Sequence, residues 1–255
     1  GNVFASPSAE DMYEVDKAIH SGAGVLHLYG RYSGDTMNFG MAKDLCEMDD
    51  IEVREVLVTD DVASAPKGSE DKRRGVAGLV FAYKIAGAAA EKMLSLDEVT
   101  RIAQKTVDNT RTMGVALTPC IVPEAGKATF SIGDDEMEIG MGIHGEPGTS
   151  REKMLSANEA AKRLLDPILA DLDYSGKEVV VLVNGMGATP LMELYIINSF
   201  VQDYLKEKGV KVYDTMVGNY MTAIEMAGFS LTLLRLDEDM KRLYDAKADT
   251  LAWKK

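Results

Sequence analysis

Short apolar runs alternate with helix-patterned stretches along the first 113 residues, and no other feature restricts the fold of this chain as strongly. Residues 7–20 carry Met12, Val15 and Ile19 at helical spacing, and Gly24-Val25-Leu26-His27-Leu28-Tyr29 then forms a run suited to a buried strand. Met37 to Cys46 reads as helix, Glu52 to Val58 as strand, Gly75 to Met93 as a long Ala-rich helix and Leu96 to Thr112 as another. Strands separated by helices predict parallel βαβ units covered on both faces. At the start, Gly1-Asn2-Val3-Phe4 reads as the tail of a strand or loop entering the first helix, with Ser6 as N-cap and Pro7 at the first helical position.

Near Gly114 the pattern changes. Val115 to Thr118 and Ala128 to Ile132 read as short strands joined by turns that contain Pro and Gly, and the acid-rich Asp134 to Glu138 reads as an exposed edge strand. A charged helix is expected from Arg151 to Leu165 with Ser150 as its cap, then a Val-rich buried strand from Lys177 to Asn184 and a helix from Leu191 to Lys208. A strand at Lys211 to Tyr213, a helix near Thr222 to Met226, a strand at Ser230 to Leu236 and a helix near Glu238 to Tyr244 complete the expectation. The predicted fold class is α/β in two domains, residues 1–113 and 114–255, each with mainly parallel or mixed sheets flanked by helices.

Charge and cysteine content narrow the function. With 28 Lys+Arg against 41 Asp+Glu the chain carries −13, which repels phosphate backbones and anionic membrane surfaces. Neither nucleic acid nor a membrane is an expected partner, and no apolar run approaches the roughly 20 residues a span requires. Lys72-Arg73-Arg74 reads as a solvated helix start, or as a local site for one phosphate or an acidic protein. Cys46 and Cys120 have no Cys or His neighbours at metal-ligand spacing, so no metal site is expected, and a reducing, cytoplasmic setting fits them best.

Three constellations could carry chemistry. Gly140 to Gly148 frames His144 with glycines, which removes the side chains that would keep a small molecule from the imidazole. His144 can then act as a nucleophile toward a carbonyl or move protons, with Glu146 placed to hold the ring; the plain alternative is a tight turn whose histidine caps backbone. Asp35 follows a predicted strand end, where ligands of open α/β sheets bind, and is a candidate base; the plain alternative is an N-cap for the helix from Thr36. Asn184 to Pro190 joins a strand to a helix through glycines but lacks the lysine and spacing of a nucleotide loop, so a tight connection is expected there. His27 is expected in the core, and His20 at a helix end.

Taken in order, Tyr32-Ser33-Gly34-Asp35 with Asn38-Phe39, Asp60-Asp61-Val62-Ala63, Arg73-Arg74-Gly75-Val76-Ala77, Gly87-Ala88-Ala89-Ala90, Gly142 to Gly148, Val183-Asn184, Gly187-Ala188-Thr189-Pro190, Glu193-Leu194-Tyr195 and Gly228-Phe229-Ser230 with Thr232-Leu233-Leu234 resemble the dihydroxyacetone kinase K subunit family. The resemblance runs along essentially the whole chain. It implies the family's fold, a homodimer, and a subunit in which a histidine, here His144 beside Gly145, adds to the ketose carbonyl as a hemiaminal. Asp35 matches the family's aspartate that acts on the hydroxyl receiving phosphate. The phosphoryl donor, ADP or ATP with Mg2+, is implied on a partner L subunit or fused domain, with no cofactor on this chain. Two departures stand out: the family's N-terminal segment, with its glycine-rich loop and second histidine, would precede Gly1, and Gly30-Arg31 replaces the family's Lys-Asn. Arg31 is the candidate to supply that charge from one position later. Preference for a related ketose such as erythrulose, or a role as a ketose-sensing coactivator, are the alternatives the resemblance leaves open.

Overall fold

The computed structural model describes residues 2–255, so the predicted entry segment is described from Asn2 onward, with Gly1 outside it. The chain runs α1 (Ala9–Ile19), β1 (Val25–Gly30), α2 (Ser33–Met48), β2 (Val53–Val58), a 3-10 turn (Glu70–Lys72), α3 (Leu79–Glu91), α4 (Leu96–Asp108), β3 (Thr110–Ala116), β4 (Ile121–Val122), β5 (Lys127–Ala128), β6 (Glu136–Ile139), β7 (Ser150–Lys153), α5 (Ala157–Asp171), β8 (Glu178–Gly185), α6 (Leu191–Glu207), β9 (Lys211–Gly218), β10 (Gly228–Arg235) and α7 (Glu238–Tyr244).

Strands β1 and β2 pair in parallel as a small sheet. The main sheet has the order β7-β6-β3-β10-β8-β9, in which β8 and β9 are parallel and every other neighbouring pair is antiparallel. The expected α/β architecture is present, with a mixed main sheet. Helices α5 and α6 bury Leu164, Ile168, Leu194 and Val201 against one face through Val181, Val183 and Leu231. On the other face Val180, Leu182 and Leu234 meet α3, α4 and α7. Helix α3 also touches β1, and α4 touches both β1 and β2, so these two helices form a layer between the small sheet and the large one. That position explains α3's composition: a helix covered on several sides needs apolar residues nearly all round, and Leu79, Phe81, Ala82, Ile85, Ala86 and Ala89 are all buried.

The boundary expected between 113 and 114 falls inside β3. Residues 60–62, which continue from β2, pair with β3 through Thr112 N–H to Asp60 O (2.8 Å) and Val62 N–H to Thr112 O (3.0 Å), and the second apolar core draws on both sides of that boundary. Several predicted element ends also moved. The first helix is capped by Ser8, whose hydroxyl accepts from Asp11 N–H, because Pro7 stays extended with its carbonyl held by Asn38. Helix α3 starts at Leu79 because the Asp60 carboxylate accepts the amides of Val76 and Gly78. Helix α4 stops at Asp108, and the β-branched Thr110 and Thr112 enter β3, where Thr112 and Thr232 share a hydroxyl hydrogen bond of 2.8 Å.

The acid-rich strand is not an edge. β6 lies between β3 and β7, and the buried Glu138 is balanced by Arg151 Nε and the amide of Gly148. Residues 150–153, expected to open a helix, pair with β6 instead, and α5 begins after Ser156 and Glu159, which form a capping box. The helix expected near Thr222 to Met226 is a turn whose backbone bonds to residues 186 and 188. Cys46 and Cys120 are both buried and unpaired. Among the described residues no helix is long and apolar enough to cross a membrane.

A buried ion cluster ties the elements together. Arg73, 0% exposed, grips Asp171 at the end of α5 with both terminal nitrogens (2.9 and 2.6 Å), and Arg111 of β3 approaches the same carboxylate through Nε. Burial pushes the Asp171 carboxyl up, but the hydrogen bonds and charges of the two arginines outweigh it and hold the group below its usual range. A carboxylate held low in the native state stabilises it above the unfolded pKa of about 4, and this contribution fades as acid protonates the group below that pH. Asp171→Asn should therefore lower stability at pH 7 by about 3–5 kcal/mol, because it strands two buried guanidinium groups. Urea unfolding checks this, and the deficit should shrink as the titration is repeated below about pH 4.

Candidate active site

His144 sits in the loop between β6 and β7. The loop base is closed by Gly140 N–H to Gly114 O (2.7 Å) and Thr149 N–H to Ile139 O (2.7 Å), and its tip by Gly142 N–H to Glu146 O (3.0 Å). Gly145 has φ +86, a left-handed angle suited to glycine, and a Cβ there would lie 2.7 Å from that of Thr129. The ring is 28% exposed, so it is packed on one side and reachable from the other.

Glu146 fixes the chemistry of that ring. Its Oε1 lies 3.0 Å from His144 Nδ1, and its Oε2 accepts the His144 amide at 3.0 Å. Burial pushes the Glu146 carboxyl up, yet the hydrogen bonds and charge of His144 together with backbone amides outweigh it, leaving the group below its usual range. An ionised carboxylate only accepts, so Nδ1 carries the proton of the neutral ring. The lone pair is then on Nε2, which has no protein hydrogen-bond partner among the described residues.

Two aromatic rings hold the imidazole from the sides. Phe4 and Tyr32 meet it edge-on, with centroids 4.7 and 4.6 Å away. Phe4 is delivered by the entry segment, which crosses the start of α2: Ser6 lies against Gly34, and Asn38 holds Pro7 O at 2.7 Å. Tyr32 donates its hydroxyl to Gly75 O (2.9 Å), and burial together with the Glu146 charge pushes its phenol up. Tyr32 stands in the sequence only within a matched run and Phe4 only in the lead-in, and neither reads there as packing on the imidazole, because an aromatic at a strand end or in a lead-in segment looks like core.

Asp35 lies in the first turn of α2, whose N-cap is Tyr32, so it does not cap the helix. It is half-buried, and no hydrogen bond links it to the His144 loop; Tyr32 is what connects the two regions. Burial first, then the Glu55 carboxylate and the charge of Asp35, raise the Tyr29 phenol, and Asp35 also raises that of Tyr83. Arg31 does not reach His144 either: its Nη1 donates to Lys72 O at 3.1 Å. The run Lys72-Arg73-Arg74 has three separate roles in place of one solvated helix start. Lys72 stays exposed, Arg73 is consumed by Asp171, and Arg74 turns to Asp61 and to the His144 loop.

The remaining motifs are structural. Asn184 braces residues 220 and 221 and Ser230, and Thr189 exchanges hydrogen bonds with Gly228 across a tight connection. His27 is buried with Nε2 2.8 Å from Asp16. Among the described residues no cluster of His, Cys, Asp and Glu could hold a metal ion.

The α/β fold presents a carboxylate-braced imidazole in a glycine loop, walled by aromatics, the arrangement of a candidate small-molecule site. Residues 1–252 match the Dak1 domain, and the chain belongs to that family. It is 49% identical over 255 residues to the PTS-dependent dihydroxyacetone kinase 1, dihydroxyacetone-binding subunit DhaK of Listeria innocua, covering 99% of this chain and 78% of that one. It is 45% identical to the D-erythrulose kinase of Mycolicibacterium smegmatis, covering 100% of this chain but 44% of that longer protein. Among solved structures, the dihydroxyacetone kinase operon co-activator Dha-DhaQ superposes with a TM-score of 0.91 at 32% identity, over 97% of this chain and 77% of its own.

Gly142 tests the geometry. A Cβ there would overlap Oε2 of Glu146 and lie 2.7 Å from Nη1 of Arg74. Gly142→Ala should expel the carboxylate and release Nδ1 while leaving the sheet intact. Long-range nitrogen–proton NMR of the imidazole should then show a mixture of tautomers where the parent shows Nδ1–H, with unchanged far-UV circular dichroism.

Proposed function

We propose that this chain is the ketose-binding subunit of a dihydroxyacetone kinase. The observation that carries the reading is the free Nε2 of His144, set by the Nδ1–Glu146 pair in a chain half identical to a dihydroxyacetone-binding subunit. Dihydroxyacetone is too small to be held well by a few hydrogen bonds. A reversible covalent bond to its carbonyl fixes position and orientation together, and orientation removes much of the barrier to a following transfer.

In this reading the Nε2 lone pair adds to the ketone carbon and the C=O pair moves onto oxygen. As Nε2 becomes bonded to carbon, the Nδ1 proton passes to Glu146 and from there, through solvent, to the new alkoxide. The product is a neutral hemiaminal that keeps all atoms of histidine and ketose. Asp35, on the first turn of α2, accepts the proton of a terminal hydroxyl as that oxygen attacks phosphorus. Arg31 stands at the end of β1 as the charged side chain closest in sequence to that position. The nucleotide and Mg2+ belong to a partner L-type subunit, where they supply the phosphoryl group and neutralise its charge. A homodimer in the cytoplasm completes the reading.

One second reading has a specific observation behind it. The co-activator that superposes so well on this chain makes a ketose sensor without phosphoryl transfer the competing role. Mixing the chain with an L-type subunit, a phosphoryl donor and dihydroxyacetone separates the two: formation of ketose phosphate supports the kinase subunit, and adduct without product supports the sensor. Within the kinase reading, His144→Ala should abolish the one-ketose mass increment seen by intact-mass spectrometry. Asp35→Asn should retain that increment and lower the rate of phosphorylation by roughly 100-fold or more, as expected for loss of a general base. Full turnover by Asp35→Asn would remove Asp35 from the mechanism.

A further inference from the structure

Among the described residues, Arg74 is the one charged side chain that hydrogen-bonds to the His144 loop from outside it without lying on a neighbouring strand. Its Nε is 2.8 Å and its Nη2 2.7 Å from Oδ2 of Asp61, and Nη2 also donates to Gly140 O at 3.1 Å. Nη1 points to the position that a Gly142 side chain would fill, and Oε2 of Glu146 faces that same position from the other side. The guanidinium and the carboxylate therefore confront each other across an empty Cβ site, within the roughly 4–6 Å over which opposite charges act strongly on each other's ionisation.

We propose that Arg74 is a positioning residue of this site: it anchors the loop by the Gly140 carbonyl and counters the charge of Glu146, so that His144 stays a neutral nucleophile with its lone pair on Nε2. The inference rests on the reading of His144 as the group that bonds the ketone. The physical problem it solves is specific. A carboxylate at Nδ1 selects the right tautomer but also stabilises the imidazolium, which has no lone pair to offer. A cation on the far side of Glu146 offsets that attraction while leaving the hydrogen bond in place.

The other charged or titratable groups around the ring are few. Tyr32 comes from the start of α2, its hydroxyl committed to Gly75 O, and Asp60 and Asp61 come from the segment after β2. Asp60 is committed to the amides of Val76 and Gly78, and Asp61 to Arg74 itself and to the Ala63 amide. The Arg74 charge is thereby partly spent on Asp61, and what faces Glu146 is Nη1.

The test uses the full chain and dihydroxyacetone, with adduct read by intact mass across pH. Arg74→Gln keeps a donor for the Gly140 carbonyl and removes the charge; Arg74→Lys keeps the charge. In Arg74→Gln the acid limb of adduct formation should move upward by about one pH unit, and half-maximal adduct at pH 7 should need several-fold more ketose. Arg74→Lys should hold the limb near that of the parent, and Arg74→Gln placed on Glu146→Gln should give no further displacement, because Arg74 acts through Glu146. A folded Arg74→Gln whose acid limb coincides with the parent's overturns the inference. If the parent itself forms no adduct, the reading of His144 has failed; imidazole NMR titration of the same variants then decides the role of Arg74 by the same criterion. Should Arg74→Gln not fold, the Arg74→Lys profile decides: a limb displaced as far as the one expected for charge loss refutes the role of the cation.

Discussion

The shared grip of Arg73 and Arg111 on Asp171 is the contact on which the geometry of the rest depends. Asp171 ends α5, Arg111 lies in β3, and Arg73 belongs to the connection between β2 and α3. One carboxylate therefore ties three pieces of backbone together. The fork of Arg73 is committed, so the backbone at residue 74 has a set direction, and its side chain emerges toward Asp61 and the β6–β7 loop. Burying such charges costs several kcal/mol per ion unless hydrogen bonds answer all of them. Arg73 meets that condition, since its Nε also donates to Ala65 O at 2.8 Å.

The same economy runs through the site. Asp60, Asp61 and Glu146 are each held by arginine or by backbone amides, and among the described residues Nε2 of His144 has no hydrogen-bond partner. Aromatic edges from Phe4 and Tyr32 press on the ring without offering it a hydrogen bond. With Nδ1 bonded to a carboxylate and two aromatic rings packed against it, the imidazole keeps Nε2 and its exposed side for whatever enters. The loop's glycines make that confinement sterically feasible, most clearly at Gly142, where any side chain would displace the carboxylate.

Much of the fold was legible because its strands are short apolar runs bounded by glycine and its helices carry period-3.6 patterns. β1, β2, β8, β10, α6 and α7 stand close to where periodicity puts them. The misreadings share a cause: backbone groups satisfied from far along the chain. Asp60 caps α3 across 16 and 18 residues, residues 150–153 enter a hairpin because β6 is their partner, and 222–226 form a turn because residues 186–188 take up their hydrogen bonds. At the site, His144 and Glu146 were visible since their glycine frame is local. Arg74 was not, because a run of three basic residues looks uniform in sequence, and only the fold shows that each points to a different acid or carbonyl.

Choice of ketose is the point at which the histidine stops being informative. In the proposed covalent reading the bond to the carbonyl carbon is the same in any ketose, so it would contribute equally to binding each of them and discriminate little. Relatives named for dihydroxyacetone and for erythrulose resemble this chain almost equally, at 49% and 45% identity. One extra carbon against an apolar wall is worth only about 1–3 kcal/mol, whereas a hydroxyl that meets or misses a buried hydrogen-bond partner is worth far more. Selectivity must therefore come from side chains that see the part of the sugar beyond the carbonyl. The side chains set around the loop are Phe4 and Tyr32 beside the ring and Thr129 behind Gly145, and the proposed reading adds the Asp35 turn of α2. They lie on three segments, the entry run, the start of α2 and the stretch after β5, so in the proposed reading the preferred ketose can change by altering one wall while the imidazole, Glu146 and the arginine behind them remain unchanged.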